Sequence, residues 1–149
     1  MSPGSVPLTV ASPYGPGQAS YRARVAAWTE RFGFDVDEHC YFGPAGTARS
    51  AGPMGLLRVA RAERDLRRLR QAAVPALLIH REASPFSTGK LEADLIDQAE
   101  RSVYDIDDAL YADWGGESVL RRVFAKAGKA AVAAERSSIT LAGNQVIAD

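Results

Sequence analysis

The chain has 149 residues, 46% of them hydrophobic, which suits one domain with a substantial core. Its 18 basic and 18 acidic side chains cancel, so we expect no nucleic-acid partner and at most a peripheral contact with membranes. The single cysteine, Cys40, excludes an internal disulfide, and the sequence has neither a membrane-spanning apolar run nor a signal-peptide pattern, so we expect a cytoplasmic protein.

Strands alternate with helices along the chain. The predicted strands are Ser5–Ser12, Phe34–Phe42, Pro75–Glu82, Arg101–Asp108 and Ser137–Gly143. The predicted helices are Ser20–Phe32, ended by Gly33, then Gly55–Ala73, Lys90–Glu100 and Glu117–Arg136, the last interrupted at Gly128. This alternation predicts an α/β fold over residues 1–149, a Rossmann-like parallel sheet of five strands in the order 3-2-1-4-5 with helices on both faces.

Ligands of such sheets bind outside the carboxyl ends of the strands, so the residues that follow each strand are the candidate site. The first strand is followed by PYGPGQAS. Gly15-x-Gly17-x-x-Ser20 only partly matches the dinucleotide fingerprint, since Pro16 lacks an N–H and Ser20 replaces the third glycine. Two interpretations remain: a plain strand-to-helix turn, or a cradle in which an anionic ligand meets bare backbone at a helix N-terminus, with Gln18 or Ser20 adding a side-chain contact.

The third strand ends in His80-Arg81-Glu82. Because side chains alternate along a strand, His80 and Glu82 are expected to face one side, where a histidine beside an acid suits a general base. The alternative is a structural histidine at the end of an apolar strand.

The fourth strand ends in three carboxylates, Asp105, Asp107 and Asp108. One interpretation is a Mg²⁺ site, since Mg²⁺ prefers oxygen ligands. The other is a strand end whose carboxylates cap the next turn.

Six arginines between residues 58 and 70 form a basic strip on the second helix. A solvated helix face and a docking surface for an anionic lipid or a phosphate-rich partner both fit this pattern.

Four segments in this order resemble the N-terminal, acceptor-side domain of family 4 glycosyltransferases, which have the GT-B architecture of two facing Rossmann-like domains. The segments are GPGQASYRAR, LLIHRE, SVYDIDDALY and TLAGNQVIAD. Together they cover nearly the whole chain. The resemblance implies transfer of a sugar from a nucleotide-sugar donor to an acceptor hydroxyl.

The resemblance also implies roles for individual residues. Gly15, Gly17 and Gln18 would face the cleft between the two domains, and Asn144 belongs to an A-G-N turn. The full set of predicted substrate-binding residues is Gly15, Gly17, Gln18, Ser20, Tyr21, Arg81 and Asn144. The predicted catalytic residues are His80, Glu82, Asp107 and Asp108; the last two stand where many relatives keep a histidine, which leaves the identity of the base open.

The second, nucleotide-sugar-binding domain of the family has no counterpart in this sequence. We therefore expect the chain to be inactive alone, as a truncated product, a fragment or one half of a split enzyme whose partner polypeptide carries the donor domain. Since GT-B enzymes generally bind no metal, we expect no metal and no cofactor. The alternative function is a non-enzymatic Rossmann-like binding module or partner subunit.

Overall fold

A computed structural model of the protein describes residues 5–43, 53–107 and 126–144. The strands are β1 (Pro7–Ser12), β2 (Asp35–Cys40), β3 (Val74–His80), β4 (Ala99–Ile106) and β5 (Ile139–Ala142). The helices are α1, which joins α-helical Ala19–Tyr21, a π-helical segment Arg22–Ala26 and α-helical Ala27–Phe32, then α2 (Pro53–Leu69), α3 (Lys90–Gln98) and α4 (Lys126–Arg136). The described part of α4 continues through Gly128, so the predicted break there is wrong.

All the strand pairs are parallel, and the five strands form one sheet flanked by helices, which confirms the predicted α/β, Rossmann-like class. The order is β2-β1-β3-β4-β5, so the predicted order 3-2-1-4-5 is wrong. The strand β3 lies at the centre, between β1 and β4, because its apolar run can be buried on both faces. The polar β2 lies at an edge, where half of its side chains meet solvent.

The order creates a topological switch point between β1 and β3. From β1 the chain moves one way to β2, and from β2 it crosses back over β1 to β3. Because such crossovers are right-handed, the connection that runs the other way lies on the opposite face of the sheet. Ligands of doubly wound sheets bind at the carboxyl ends of the strands at this point.

The two faces of the sheet are covered unequally. Helices α2, α3 and α4 pack on one face around a large core, whose buried members include Leu77, Ile79, Tyr104, Leu66 and Leu95. Among the helices of the described residues, only α1 covers the other face, through Tyr21 and Val25 against Val10 and Leu78. On that face Val103 packs against the α1 cluster, while Ile139, its register partner on β5, is exposed.

Helix α1 ends at Gly33, as the sequence predicts. Gly33 has φ +65°, in the left-handed region that glycine occupies without a steric penalty. Its N–H donates to the carbonyl of Glu30, and the Phe34 N–H donates to the carbonyl of Thr29. These bonds satisfy two carbonyls in the last turn of the helix, and the chain then turns into β2.

No helix in residues 5–43, 53–107 or 126–144 is long and apolar enough to cross a bilayer.

Candidate functional site

Three polar residues stand side by side at the carboxyl ends of the central strands. Ser12 ends β1, His80 ends β3, and Asp105 pairs directly with His80 in the register of β3 and β4. Ser12 lies one residue beyond the pair Ala11–Ile79. The fold thus brings residues from three distant parts of the chain to the switch point, on the face that α1 covers.

The His80 ring is fully buried at the centre of this row. Its Nδ1 atom lies 3.1 Å from Ser12 Oγ, which also accepts a hydrogen bond from the Tyr14 N–H at 3.3 Å. Its Nε2 atom lies 3.9 Å from Asp105 Oδ2 and 3.7 Å from Asp107 Oδ2, too far for a direct hydrogen bond to either. Two carboxylates near Nε2 favour the tautomer with its proton there, and Ser12 then donates its hydroxyl proton to Nδ1.

Asp105 is held by a guanidinium from α1. Its side chain is 2% exposed, and Arg24 Nε lies 3.0 and 2.9 Å from the two carboxylate oxygens, with Nη2 also on Oδ1. The fork of an arginine matches a carboxylate in this two-point geometry. Arg24 belongs to the π-helical segment, a local widening of the helix that is frequent at functional sites because it changes where side chains point.

The backbone turns sharply at Arg81, directly after β3. Arg81 has φ +66°, which is uncommon for a residue with a side chain, and the Glu82 N–H donates to the His80 carbonyl across it at 2.9 Å. Two further bonds hold this conformation: the Arg81 N–H donates to the Asp105 carbonyl at 2.8 Å, and the Tyr104 hydroxyl donates to the Arg81 carbonyl at 3.0 Å. Strain of this kind costs about 1–3 kcal/mol and persists where the surroundings enforce it.

The turn aims the Arg81 side chain at Asp107, the first residue after β4. Arg81 Nε lies 2.8 Å from Asp107 Oδ1. Burial alone would raise the pKa of Asp107, but the adjacent His80 ring and the charges of Arg81 and Arg24 hold that pKa below its ordinary value. Asp107 is therefore a carboxylate at neutral pH, and with Arg81 and Arg24 it is the partly exposed side of the cluster, at 13%, 19% and 29%.

Glu82 does not join His80. The turn at Arg81 interrupts the alternation, and Glu82 accepts a hydrogen bond from Lys129 Nζ at 2.9 Å, on the α4 side of the sheet. The expectation that His80 and Glu82 face one side is therefore wrong. Lys129 also donates to the Ser84 carbonyl at 2.6 Å, so Glu82 stabilises the loop after β3.

A second buried carboxylate braces the same loop. Glu92 of α3 is fully buried and accepts hydrogen bonds from the Ala83 N–H at 3.1 Å and the Ser84 N–H at 3.4 Å. The Ser87 hydroxyl donates to its other oxygen at 2.5 Å. These hydrogen bonds fix the backbone of the loop after β3, next to the site, but Glu92 itself does not face the site.

The loop after β1 is closed by Arg22. The Arg22 guanidinium donates to the carbonyls of Pro16 at 2.9 Å and Gly17 at 3.0 Å, and the Gln18 N–H donates to the Gly15 carbonyl at 3.0 Å. Neither Gly15 nor Gly17 has a positive φ, so no left-handed turn requires these glycines. Ser20 is half-buried at the start of α1.

Tyr21 lies beneath the site. It is fully buried, its ring and the His80 ring are nearly perpendicular with centroids 6.1 Å apart, and its hydroxyl donates to Glu38 Oε1 at 2.6 Å. Burial raises the pKa of this hydroxyl far above its ordinary value. Tyr21 thus supports His80 and does not face solvent as a substrate-binding residue would.

Two predicted site residues, Asn144 and Asp108, are not part of this cluster in the described residues. Asn144 is exposed just beyond the end of β5. Asp108 lies outside the described residues.

No protein-family model, curated protein or solved structure matches this chain. The resemblance to family 4 glycosyltransferases therefore rests on the sequence motifs alone.

The structure thus groups part of the predicted site and adds residues that the sequence analysis did not place there. His80, Arg81, Asp105 and Asp107, all expected at strand ends from the sequence, are together, and they are joined by Ser12 and Arg24. The sequence does point to Ser12, because it is the last residue of the strand that precedes the first loop. No feature of the sequence points to Arg24, because it is one of several arginines on a helix whose winding changes locally.

The chemistry of this cluster is that of a neutral, hydrogen-bonding surface. Two guanidinium groups face two carboxylates, so the charges balance while donors and acceptors remain on the exposed side. Within the three described ranges, no group of three His, Cys, Asp or Glu side chains has a geometry that holds a metal ion.

Two surface depressions lie away from the cluster. One of about 280 Å³ is bounded by Arg70, Lys90, Asp94, Asp97 and Gln98. Another, of about 120 Å³, lies between the end of β2 and the middle of α2. In the first depression, charged side chains pair with one another, as Arg70 and Asp94 do at 3.2 Å.

Replacing Arg24 by methionine is expected to destabilise the fold strongly. The change keeps an apolar stem but leaves the carboxylate of Asp105 buried without its cation, which costs about 3–5 kcal/mol. Urea unfolding measures the loss, and Arg31→Met, at an exposed position on the same helix, serves as the control. A loss below about 1 kcal/mol, typical of exposed pairs, would contradict the role given to this ion pair.

The contribution of Asp107 to stability is expected to depend on pH. Its pKa is lowered in the folded state, below the ordinary value of about 3.9, so its pairing stabilises the fold fully above that value. The contribution is then lost as the pH falls through the lowered folded-state pKa. Unfolding of the native chain and of Asp107→Asn, measured between pH 7 and pH 2, should give free energies that differ most at neutral pH and converge in acid. A difference that stays constant over this range would contradict the assignment.

Proposed function

We propose that the carboxyl edge of β1, β3 and β4 binds the hydroxyl acceptor of a glycosyltransferase, and that the chain is the acceptor-side portion of such an enzyme. The observation that carries the proposal is the convergence of His80, Asp105, Asp107 and Arg81 beside the first loop, at the switch point where doubly wound sheets bind ligands. In the described residues, the motifs that resemble family 4 glycosyltransferases reach this same edge of the sheet.

The balanced charge of the cluster supports a polyhydroxylated ligand. A sugar hydroxyl both donates and accepts, and a guanidinium already paired with a carboxylate offers both functions within a few ångströms. A highly charged ligand would need unpaired charge of the opposite sign. The nucleotide portion of a donor sugar is therefore assigned to a second domain or partner polypeptide, as the resemblance implies.

Asp107 and Arg81 are the groups proposed to touch the ligand, because they form the ion pair of the cluster in which both members are partly exposed, whereas the partner of Arg24 is buried. His80 is fully buried and supports Asp107 from behind. A carboxylate with a lowered pKa is a weak base, so Asp107 is better suited to accept a hydrogen bond from the acceptor than to remove its proton.

In the proposed reaction, an acceptor hydroxyl oxygen attacks the anomeric carbon of the donor sugar. The bond from that carbon to the diphosphate oxygen breaks, the diphosphate leaves with the electron pair, and the hydroxyl proton passes to a base or to solvent. The contribution of this chain is to hold the acceptor oxygen in line and exclude competing water. Stabilisation of the leaving group belongs to the donor domain.

The loop Pro13–Gln18 is proposed to border the ligand. Its glycines have ordinary φ, so their value at this place is the absence of a side chain and not the shape of the turn. Arg22 holds the carbonyls of Pro16 and Gly17, which limits the freedom of the loop before binding.

The chain is expected to bind simple saccharides weakly at this edge. The probes are the methyl glycosides of glucose, galactose and mannose, followed by saturation-transfer NMR and by shifts of the backbone amides. Gly17→Val and Arg81→Leu should each remove binding, while Arg61→Leu, on the exposed side of α2, should leave it unchanged. Gly17→Val should do so with little change in the thermal midpoint, because a side chain there meets the ligand and not the core.

Binding of none of the glycosides, or binding whose amide shifts fall away from the ends of β1, β3 and β4, would refute the site. Binding that persists in Gly17→Val would make the loop a structural turn. The alternative function, a binding module without transfer, is supported if saccharides bind but the chain joined to a family 4 donor domain still transfers no sugar from UDP-glucose or GDP-mannose.

The chain alone is expected to turn over no nucleotide sugar, since a donor-binding domain is required. Incubation of the pure chain with UDP-glucose or GDP-mannose and the glycosides should release no nucleoside diphosphate above background. Enzyme-dependent release would show that the donor site lies within this chain.

A further inference from the structure

Gly143, directly after β5, approaches the backbone of Asp107 unusually closely. The Gly143 N–H donates to the Ile106 carbonyl at 2.8 Å, which draws the two chain segments together just beyond the paired ends of β4 and β5. A Cβ atom at position 143 would lie 3.0 Å from Asp107 Cα, 3.1 Å from its carbonyl oxygen and 3.3 Å from its carbonyl carbon. Carbon atoms in comfortable contact are about 3.5–4.0 Å apart, so any side chain here would displace Asp107 or β5.

The turn does not explain the glycine. Gly33, Gly43 and Gly89 have positive φ, whereas Gly143 does not, so its φ does not require a glycine. Because glycine has no side chain, the backbone at position 143 can come this close to the backbone of Asp107. The carboxylate of Asp107 is at the exposed side of the cluster.

The position of Asp107 is set by short distances. Its Oδ1 atom is 2.8 Å from Arg81 Nε, and its Oδ2 atom is 3.7 Å from His80 Nε2. Arg24 of α1 adds a favourable charge, and the carboxylate of Asp105, two residues earlier on β4, is held by Arg24. These four side chains are the charged and titratable groups around Asp107 among the described residues, and a shift of a few tenths of an ångström would change its distances to Arg81 and His80.

We propose that Gly143 is a positioning residue, which lets the end of β5 press against Asp107 and thereby fixes the Asp107 carboxylate between Arg81 and His80. Its biological meaning rests on the proposed function, because Asp107 is the group assigned there to the acceptor hydroxyl. The geometric claim stands without that function. In this proposal the end of β5 acts on the site through its backbone, since none of its described side chains belongs to the cluster.

The test compares Gly143→Ala with Gly128→Ala in the full chain. Gly128 lies in α4 with ordinary φ, and a Cβ there meets no atom within 4 Å, so the control adds the same methyl group in open space. The readout is the pKa of the Asp107 carboxyl group, followed by carbon-13 NMR. We expect Gly143→Ala to raise this pKa toward the ordinary aspartate value, because its ion pair with Arg81 lengthens, and Gly128→Ala to leave it unchanged.

A double-mutant cycle between Gly143→Ala and Asp107→Asn gives a second measurement. If Gly143 acts through the Asp107 charge, the loss of stability in Gly143→Ala at pH 7 is smaller when Asp107 is already asparagine. If Gly143→Ala is too unstable to titrate, the Asp107→Asn background shows whether the same methyl group is tolerated once the charge is gone.

An unchanged Asp107 pKa in Gly143→Ala would overturn the proposal, as would an equal change in Gly128→Ala or strict additivity in the cycle. Saccharide binding separates this proposal from the proposed function. A raised pKa in a chain that binds no glycoside sustains the positioning role and refutes the acceptor site. Several-fold weaker glycoside binding in Gly143→Ala, with a raised pKa, supports both.

Discussion

The ion pair between Arg24 and Asp105 is the constraint on which the rest of the site depends. A carboxylate at the end of a central strand is almost completely removed from water, and such a charge is tolerated only with a partner of opposite sign. The partner comes from α1, so the helix must lie over β1 and β3 with its π-helical segment turned toward β4. With α1 fixed in this way, Tyr21 covers the His80 ring, and Ser12 and Asp105 occupy the two sides of that ring.

The fold class follows from the sequence because alternation of strands and helices leaves few ways to bury both faces of a sheet. Alternation does not determine the strand order, because it does not say which strands are adjacent in the sheet. The amino-acid composition of the strands does indicate which strand is central and which lies at an edge. The run Val74–His80 is apolar almost throughout and Asp35–Cys40 is mostly polar, which favours a central place for the first and an edge for the second.

The candidate site was predicted in part for a similar reason. Residues at strand ends converge in any parallel sheet, and this is why His80, Arg81 and Asp107 were predicted together. The position of Glu82 was missed because one residue with positive φ, Arg81, reverses the side on which the next residue lies. Arg24 was missed because a helical pattern does not reveal where a helix widens, and this arginine of the widened segment reaches a buried carboxylate on β4.

At Arg81, the residue that would relieve backbone strain differs from the residue that the candidate site requires. A glycine would occupy this left-handed conformation without a steric penalty, and a selection for thermal resistance alone would therefore favour it. The same substitution would remove the guanidinium that holds Asp107 at the mouth of the site. A substitution chosen to raise thermal stability by relieving this strain would therefore also remove the ion pair that positions Asp107 at the carboxyl edge of the sheet.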